Sequence, residues 1–517
     1  MVTAGPSIFA LECNSFSGGF MRFFRVAVVT LVVSAISICA GCFSDPAKDA
    51  ENKKKVEALL ARLPEGWKAD IEVKGDTVTI RNFTGKWIVW GTATFEIAFD
   101  ELVAEKVNFE APGTPDGAPV VGKITLKNLR DGLSWLQFSF SYSHSLGKLE
   151  LNNPHGDFAG LLAVIDRKAE PDTLLKTAKS WKIGPVKLEN EVLDYSYAYF
   201  GVTSKLESVS LASASLLRWE GFEAKKLSVM SLGAEVTAID SYGFKLIELP
   251  DFLGLAERER QKREVEGAAA DSEQLDRESM QELLALARAT PFRLEGLAYN
   301  NVRIRPMTTD PIRVGKLSFD LFISPDKLQM DLRGKELEVP TAALALLGLP
   351  SSEFGLRPGD FLRGELGLGW QMQADQSKGT GTVSGSLRGL KWGVVDGSLA
   401  LSWPVDPDRF PIFPAEEKIM AAGFTIGLED LGGINKVPAI LGRTRQALLD
   451  DLAAAGRSTG LEAEVGKALL PLLEKGGKVR FVVTCDPPEP LATLSQKLEA
   501  VPPTWKFAVE HTPPAAQ

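Results

Sequence analysis

Histidine and cysteine are scarce in this chain, although these side chains most often carry proton-transfer, nucleophilic or metal chemistry. The 517 residues include three histidines and four cysteines. No His-Glu-x-x-His motif occurs, and no metal-ligand spacing involves Cys485. The sequence therefore predicts no catalytic residue, no metal site and no cofactor, and we do not expect an enzyme. Two distant carboxylates acting on a glycoside are a catalytic arrangement that the sequence leaves open.

Basic residues are fewer than acidic residues, with 58 lysines and arginines against 67 aspartates and glutamates. Nucleic-acid binding depends on neutralising phosphates, and charge attraction to anionic lipid depends on clustered basic residues. A chain of net charge −9 without such a cluster suits neither. The segment from Gly117 to Ile124 comes close to a nucleotide-binding loop, but isoleucine replaces the required Ser or Thr. We therefore expect neither nucleic acid nor nucleotide as a partner.

Hydrophobic runs long enough to span a membrane are missing. Val26 to Gly41 is apolar over 16 residues, below the roughly 20 that a membrane-spanning helix needs. The cationic segment Met21 to Arg25 precedes it and small residues end it, which is typical of a signal peptide. Residues 1–41 are therefore predicted to be an export signal, with Met21 as the expected true start.

The end of this segment, Cys39-Ala40-Gly41-Cys42, resembles the lipobox of bacterial lipoproteins, with cysteine in place of the usual leucine. The resemblance implies that Cys42 is lipidated and holds the protein on a membrane through several acyl chains. Phe43 rather than Asp follows it. In such proteins this favours the outer membrane, so we expect an exported protein anchored there and facing the periplasm. An ordinary signal peptide cut near Ala40 is the alternative.

Cys485 is the cysteine that such processing would leave unmodified, because Cys13 and Cys39 are removed and Cys42 is lipidated. An exported protein can form disulfides, but Cys485 would have no partner. It ends the β-type run that begins at Val479, which favours a buried structural cysteine over a nucleophile.

Apolar and polar residues alternate over much of the chain, which is the pattern of half-buried β-strands. The clearest example is the run of Leu317, Phe319, Leu321 and Ile323. Ser324 to Lys327 then predicts a hairpin turn, and the glycine-rich segment 379–403 predicts short twisted strands. Strands in consecutive runs favour an α+β fold of mainly antiparallel sheet, curved or groove-like, with a few helices and a C-terminal helical hairpin.

The predicted organisation follows from where composition changes. After the signal we expect a tether with a short helix (42–64), an N-terminal β-rich domain (65–254), a charged helical linker (255–290) and a C-terminal β-rich domain (291–517). Helices are predicted over residues 53–62, 158–165, 173–180, 434–455 and 461–473. The last two would form the hairpin.

Few single residues suggest a site. His144 is interpreted as a strand end and His511 as part of the tail, whereas His155 lies in a loop whose Pro, Gly and Asp are explained by turn chemistry. Trp87 and Trp403 could stack on sugars or enter lipid, but core packing is the interpretation that we favour.

The phrases Val314 to Leu321 and Asp331 to Pro340 are similar to the short alternating strands of AsmA-like and YdgA-like envelope proteins, over roughly residues 185–430. That resemblance implies an open β-groove that shields lipid tails, in which Leu317, Phe319, Leu321 and Ile323 would lie. Those proteins are usually anchored by a helix at the inner membrane, so a lipid anchor is a departure.

Two functions remain open. The first is an envelope lipoprotein that binds lipid or another amphiphile in a sheet groove, without catalysis. The second is a structural or assembly factor of the envelope that acts through protein or glycan contacts. The first requires apolar strand faces that neither side chains nor helices 434–473 fill.

Overall fold

Antiparallel β-sheet with a few helices makes up most of the protein, as the alternating sequence predicts. The chain divides into two compact units, unit 1 (residues 1–234) and unit 2 (residues 235–517), which are described separately. The computed structural model describes residues 46–61, 65–89, 92–107, 121–135, 139–157, 171–197, 200–232, 234–251, 254–255, 272–305, 310–346, 357, 359–375, 377–389, 393–406, 410–458, 461–494 and 504–514.

Unit 1 is a meander in which most strands pair antiparallel with the previous long strand. Its helices are α1 (Pro46–Leu60) and α2 (Pro171–Ser180). Its strands are β1 (Lys68–Lys74), β2 (Thr77–Val89), β3 (Ala93–Glu105), β4 (Lys123–Trp135), β5 (Phe140–Asn152), β6 (Lys182–Ile183), β7 (Val186–Tyr197), β8 (Phe200–Leu211), β9 (Ser213–Ser215) and β10 (Arg218–Ser231). The order is β1-β2-β3-β4-β5-β7-β8-β10, and β9 pairs with both β6 and β10.

Unit 2 continues the meander pattern from β11 to β20, each strand antiparallel to the next. Its strands are β11 (Ala234–Glu248), β12 (Phe292–Ile304), β13 (Ile312–Ser324), β14 (Lys327–Pro340), β15 (Phe361–Ala374), β16 (Lys378–Gly389), β17 (Gly393–Pro404), β18 (Met420–Asp430), β19 (Lys478–Pro490) and β20 (Lys506–Thr512). Its helices are α3 (Ser272–Ala289), α4 (Thr341–Leu346), α5 (Val437–Ile440), α6 (Arg445–Ala455) and α7 (Leu461–Lys475), with 3-10 turns at Glu416–Lys418, Ile434–Lys436 and Leu491–Thr493.

Several helix boundaries differ from the sequence predictions. Helix α1 begins at Pro46 rather than Lys53, so part of the predicted tether is helical. The segment predicted as one helix from Ile434 is a 3-10 turn and α5, and α6 starts only at Arg445, where Thr444 accepts a capping hydrogen bond from the Ala447 amide at 3.2 Å. The predicted helix 158–165 and residues 256–271 of the charged linker lie outside the described residues. No helix in the described ranges is long and apolar enough to cross a membrane.

The core of unit 1 is well filled. Strands β2 to β5 contribute alternate side chains, such as Phe83, Phe95 and Leu126, that are almost completely buried, and α1 adds Val56 and Leu60. The Phe83 and Phe99 rings stack with their centroids 4.8 Å apart. Burial of this many large apolar side chains, at about 1.5–3 kcal/mol each, is the main stabilising term of unit 1.

Four strands of unit 1 each contain a residue in the left-handed backbone conformation, and these residues are aligned with one another across the sheet. Asn82, Asn128, Asn190 and Lys226 have φ between 52° and 57° and lie on β2, β4, β7 and β10, which are alternate strands of the meander. Pairing between β4 and β5 stops at Asn128 and resumes in the same register. The inward alternation shifts there by one residue, so that Leu126 and Leu129 are both buried. Such irregularities bend a strand and increase its twist.

Asparagine suits these positions because it tolerates the left-handed region and can hydrogen-bond its neighbours. The Asn82 amide donates to the Asp70 carboxylate at 2.8 Å and the Asn128 amide to the Asp100 carboxylate at 2.7 Å. Unit 2 repeats the arrangement where Asn301 (φ 51°) donates to Asp240 at 2.9 Å. In the sequence, this arrangement shows as two adjacent polar residues, after which the apolar positions shift by one residue.

We expect Asn128→Val to destabilise unit 1 by about 1–3 kcal/mol, because a β-branched residue is strained at positive φ. Asn128→Gly removes the same side-chain hydrogen bond without the strain and should cost less. Urea unfolding followed by hydrogen exchange of the β4 and β5 amides measures both. Equal losses for the two variants would contradict a conformational role for this position.

Candidate functional site

The four residues predicted to line a groove lie on β13 and share one face of the sheet of unit 2. Leu317, Phe319, Leu321 and Ile323 are all half-buried. This sets them apart from their counterparts in unit 1, where Phe95, Ile97 and Phe99 alternate in the same way on β3 and are buried. The β13 face therefore has less cover than a filled core provides.

Strand register extends this face across the sheet, because residues directly opposite each other in antiparallel strands point to the same side. Four rows of uncharged residues run across the strands, and together they are named the apolar face. The rows are Leu317, Gly334, Leu366, Leu387, Val395, Leu428 and Val479; Phe319, Leu332, Leu368, Gly385, Gly397, Ile426 and Phe481; Leu321, Met330, Trp370, Val383, Leu399, Phe424 and Val483; and Ile323, Leu328, Met372, Gly381 and Leu401.

The middle of the apolar face is open to solvent. Five of its large side chains on β15 to β18 are exposed, namely Leu387 (57%), Val395 (52%), Leu368 (41%), Ile426 (41%) and Trp370 (40%). Scattered exposed apolar residues are normal on protein surfaces, but contiguous ones mark binding surfaces. These five occupy neighbouring strands and adjoining rows, so they form one patch.

Two facing glycines form a depression in this patch. Gly385 on β16 pairs with Gly397 on β17, between the exposed Leu368 and Ile426 of the flanking strands. A Cβ atom added to Gly385 would meet Leu368 at 3.5 Å, and one added to Gly397 would meet the Thr425 carbonyl at 3.4 Å. Neither glycine therefore serves close packing, and their lack of side chains leaves space above the backbone.

One end of the apolar face is closed by Trp403. Its indole is buried over Gly379 and Gly381, where an added Cβ would press on the ring. The Trp403 indole nitrogen donates to the Pro411 carbonyl at 2.7 Å, which ties the following loop to the sheet, and Ile412 in that loop is fully buried. Core packing, the interpretation favoured for Trp87 and Trp403, is confirmed, since both are buried.

Helix α7 covers the apolar face at β18 to β20. Its Ala468 and Leu472 pack in one cluster with Val479 and Phe481 of β19. The Arg445 side chain at the start of α6 donates to the Leu473 and Glu474 carbonyls at the end of α7, at 2.7 and 3.2 Å. Among the described residues, the helices do not cover the exposed apolar side chains on β15 to β17.

The opposite face of the same strands is polar. Arg333 on β14 donates to both carboxylate oxygens of Asp331 at 2.6 and 2.9 Å, and Thr382 and Gln371 are exposed. Exposed ion pairs of this kind contribute little to stability. The difference between the two faces makes them easy to compare by substitution.

A buried polar cluster in unit 1 was not predicted. His144 lies inside β5, not at its end, with its Nδ1 3.3 Å from the Asp131 carboxylate on β4 and its Nε2 3.1 Å from the Glu191 carboxylate on β7. Ionised carboxylates only accept hydrogen bonds, so both bonds form when His144 is the doubly protonated imidazolium. Its partners are 13 and 47 residues away in the chain, which hid the cluster from sequence reasoning.

None of the other predicted residues that the structure describes belongs to the four rows of the apolar face. His155 occupies an isolated bridge with Lys182, and its Nδ1 is 3.1 Å from the Asn153 carbonyl, which fits a turn histidine. His511 is within β20 rather than in a tail. Cys42 and residues 117–120 of the Gly117–Ile124 segment lie outside the described residues. Lys123 starts strand β4, as expected of a hairpin and not of a nucleotide-binding loop.

A Gly-x-Ser-x-Gly sequence begins at Gly456 and has the spacing of a hydrolase nucleophile. It follows helix α6, whereas a nucleophile elbow follows a strand. The Ser458 hydroxyl donates to the Ala455 carbonyl at 2.7 Å. The serine therefore serves a helix-ending turn.

Cys485 is buried beside Val483 and Trp505, as predicted for a structural cysteine. Burial raises the pKa of its thiol, and the nearby Glu489 carboxylate adds to the shift. We expect a thiol reagent to modify Cys485 in the folded chain about a hundredfold more slowly than in the urea-unfolded chain. Mass spectrometry of the Cys485 peptide measures this rate, and rapid labelling without urea would contradict the prediction.

The raised thiol pKa also gives a pH dependence. The unfolded chain releases this proton at lower pH than the folded chain, so the stability contribution is complete below the unfolded-state pKa. It is lost as the pH rises through the folded-state pKa.

Comparison with known proteins adds no family. No protein-family model matches the chain, and no curated protein is significantly similar to it. Within the described residues, no group of three or more His, Cys, Asp and Glu side chains is arranged to hold a metal ion.

Proposed function

We propose that the apolar face of unit 2 binds the hydrocarbon part of a lipid or another envelope amphiphile. The observation that carries this proposal is the patch of five exposed large apolar side chains around the Gly385–Gly397 depression. A soluble sheet that exposes such a patch gains stability when a ligand removes it from water, at about 25 cal/mol per Å².

The dimensions of the face suit acyl chains. Seven strands spaced by about 4.8 Å give a width of about 29 Å, and four rows separated by two residues give about 20 Å along the strands. One leaflet of a bilayer contributes about 15 Å of hydrocarbon. A lipid tail can therefore lie along β15 to β17 within the face.

Hydrocarbon is a better match than polypeptide for this surface. Trp370, with its indole N–H, and Met330 and Met372, which are weak acceptors, are the side chains of the four rows that can form a hydrogen bond. A buried peptide backbone would therefore lose most of its hydrogen bonds to water without replacement. The predicted alternative, an assembly factor that binds protein or glycan, is tested by the same experiment.

The expected lipid anchor completes the proposal. Acylated Cys42 would keep the protein at the envelope membrane, where amphiphiles are available, with residues 46–514 beyond it. The groove-like curvature of the sheet and a hairpin formed by α6 and α7 belong to the same proposal. The helices would then border the lipid-binding face.

Site-specific photo-crosslinking in exporting cells tests the function on the full chain. We expect a photoreactive amino acid at Leu368 to yield a protein adduct carrying the mass of a lipid, because this side chain borders the depression. The matched control places the same amino acid at Gln371, which is exposed on the opposite face of β15. Phe319→Asp should reduce the Leu368 adduct by about tenfold or more, whereas Ser318→Asp, on the other face, should not.

Each alternative gives a different product. A protein or glycan crosslink at Leu368 would replace lipid binding by the assembly-factor function. Lipid adducts of equal yield at Leu368 and Gln371 would indicate nonspecific membrane contact and overturn the proposal.

A further inference from the structure

A partly open space adjoins the apolar face beneath the helices of unit 2. It has a volume of about 330 Å³ and lies between the ends of β17 and β18 and helices α5, α6 and α7. Val395, Leu428, Leu448, Leu452 and Leu472 are among its aliphatic walls. Leu472 is buried, whereas Val395 is more than half exposed, so the space opens towards the sheet.

The depression on the sheet leads into this space. Along β17, Leu399, Gly397 and Val395 successively belong to three rows of the apolar face, and Gly393 reaches the cavity wall. Gly385 on β16 pairs with Gly397 on β17, so the depression extends over both strands. The seven residues from Leu399 to Gly393 span about 20 Å.

Asp430 in the cavity lining and Arg445 near it are engaged in ending helices and turns, and Glu429 follows Leu428 on β18 and so belongs to the opposite face of that strand. The Asp430 carboxylate accepts hydrogen bonds from the Gly432 and Ile434 amides at 2.8 and 3.0 Å, and Arg445 binds the last carbonyls of α7. The remaining walls named above are aliphatic. An occupant with polar groups would be desolvated there without compensation, whereas a methyl end would not.

We infer that one long, unbranched acyl chain lies along β16 and β17 over Gly385 and Gly397 and buries its methyl end in the cavity under α5, α6 and α7. This inference rests on the proposed function and adds to it the position, direction and chain class of the ligand. Gly397 lies four residues from Gly393 at the cavity wall, about 13 Å along the strand, which is within the roughly 15 Å of hydrocarbon that one leaflet contributes. Chains much shorter than this would fail to reach the cavity.

Two photoreactive fatty acids distinguish the ends of the ligand. One is a straight-chain fatty acid of membrane length with a diazirine at the methyl end, and the other has the diazirine near the carboxyl group. With the full chain, we expect the methyl-end probe to label peptides of α6 and α7 and the carboxyl-end probe to label peptides of β15 to β17. Labelling of the strands alone by both probes would overturn the inference and leave the proposed function standing. No labelling by either probe would overturn both.

A cavity-filling variant gives a second test. Leu452→Trp occupies the space, and expulsion of even two methylenes should weaken methyl-end labelling of α7 about tenfold. Labelling of β15 to β17 by the carboxyl-end probe should persist. Leu449→Trp is the matched control, because Leu449 is on the same helix and is not among the residues lining the cavity. An equal effect of both variants would overturn the inference, and the unmodified chain decides the matter if Leu452→Trp does not fold.

Discussion

Replacement of His144 by leucine should destabilise unit 1 by about 3–5 kcal/mol, the usual cost of removing one member of a buried charged pair. The Asp131 side chain beside it is almost completely buried, and Glu191 on the next strand is partly buried. The variant removes the hydrogen-bonding group that faces both carboxylates, while Asp131 stays buried and Glu191 partly buried. For a unit of this size the melting temperature should fall by about 10 °C.

Hydrogen exchange of the β4 and β5 amides reports the stability of unit 1 separately from unit 2. His155→Leu is the control, since that histidine lies in a turn with an exposed side-chain hydrogen bond and should change stability by less than about 1 kcal/mol. The double variant Asp131→Leu/His144→Leu should recover part of the loss, because it removes a buried charge together with its partner. A single variant as stable as the unmodified chain would show that the cluster contributes nothing to folding.

Trp403→Ala should destabilise unit 2 by about 3–5 kcal/mol, since it opens a large cavity and removes the hydrogen bond to the Pro411 carbonyl. Trp403 packs with Met372 and Leu401 and covers two glycines at the closed end of the apolar face. The variant should also expose that end, because the indole holds the loop that contains Ile412.

Trp370→Ala is the matched control, because it removes the same type of side chain from the same side of the sheet. Trp370 is exposed two rows away, so its loss should cost less than about 1 kcal/mol while reducing lipid capture. Chemical unfolding followed by hydrogen exchange of the β16 and β17 amides compares the two variants. If both lost the same stability, the distinction between a closed end and an open patch would be wrong.

Much of the sheet could be predicted from local patterns. Alternation in residues 317–323 and 328–332 identified β13 and β14, and the Ser324–Lys327 turn identified the hairpin between them. The glycine-rich segment 379–403 contains β16 and β17, and Cys485 is buried within β19. These features depend on residues close in the chain, where turn chemistry and side-chain period act directly.

Other features depend on partners far apart in the chain. The Asp131–His144–Glu191 cluster joins three strands, and the level at which Asn82, Asn128 and Asn190 interrupt the sheet is visible only when the strands are in register. Helix starts were also misplaced, because a cap such as Thr444 competes with other possible starts in a long amphipathic segment.

The sequence by itself determined that much of the chain forms alternating strands, whereas the export signal over residues 1–41 and the lipidated Cys42 stay predictions. Only the tertiary structure decided which apolar faces are covered. Phe95, Ile97 and Phe99 in unit 1 and Leu317, Phe319 and Leu321 in unit 2 have the same period, yet the first set is buried and the second is half-exposed. The physical reason is that a period of two records the pleat of a strand, whereas burial depends on what long-range packing places above it.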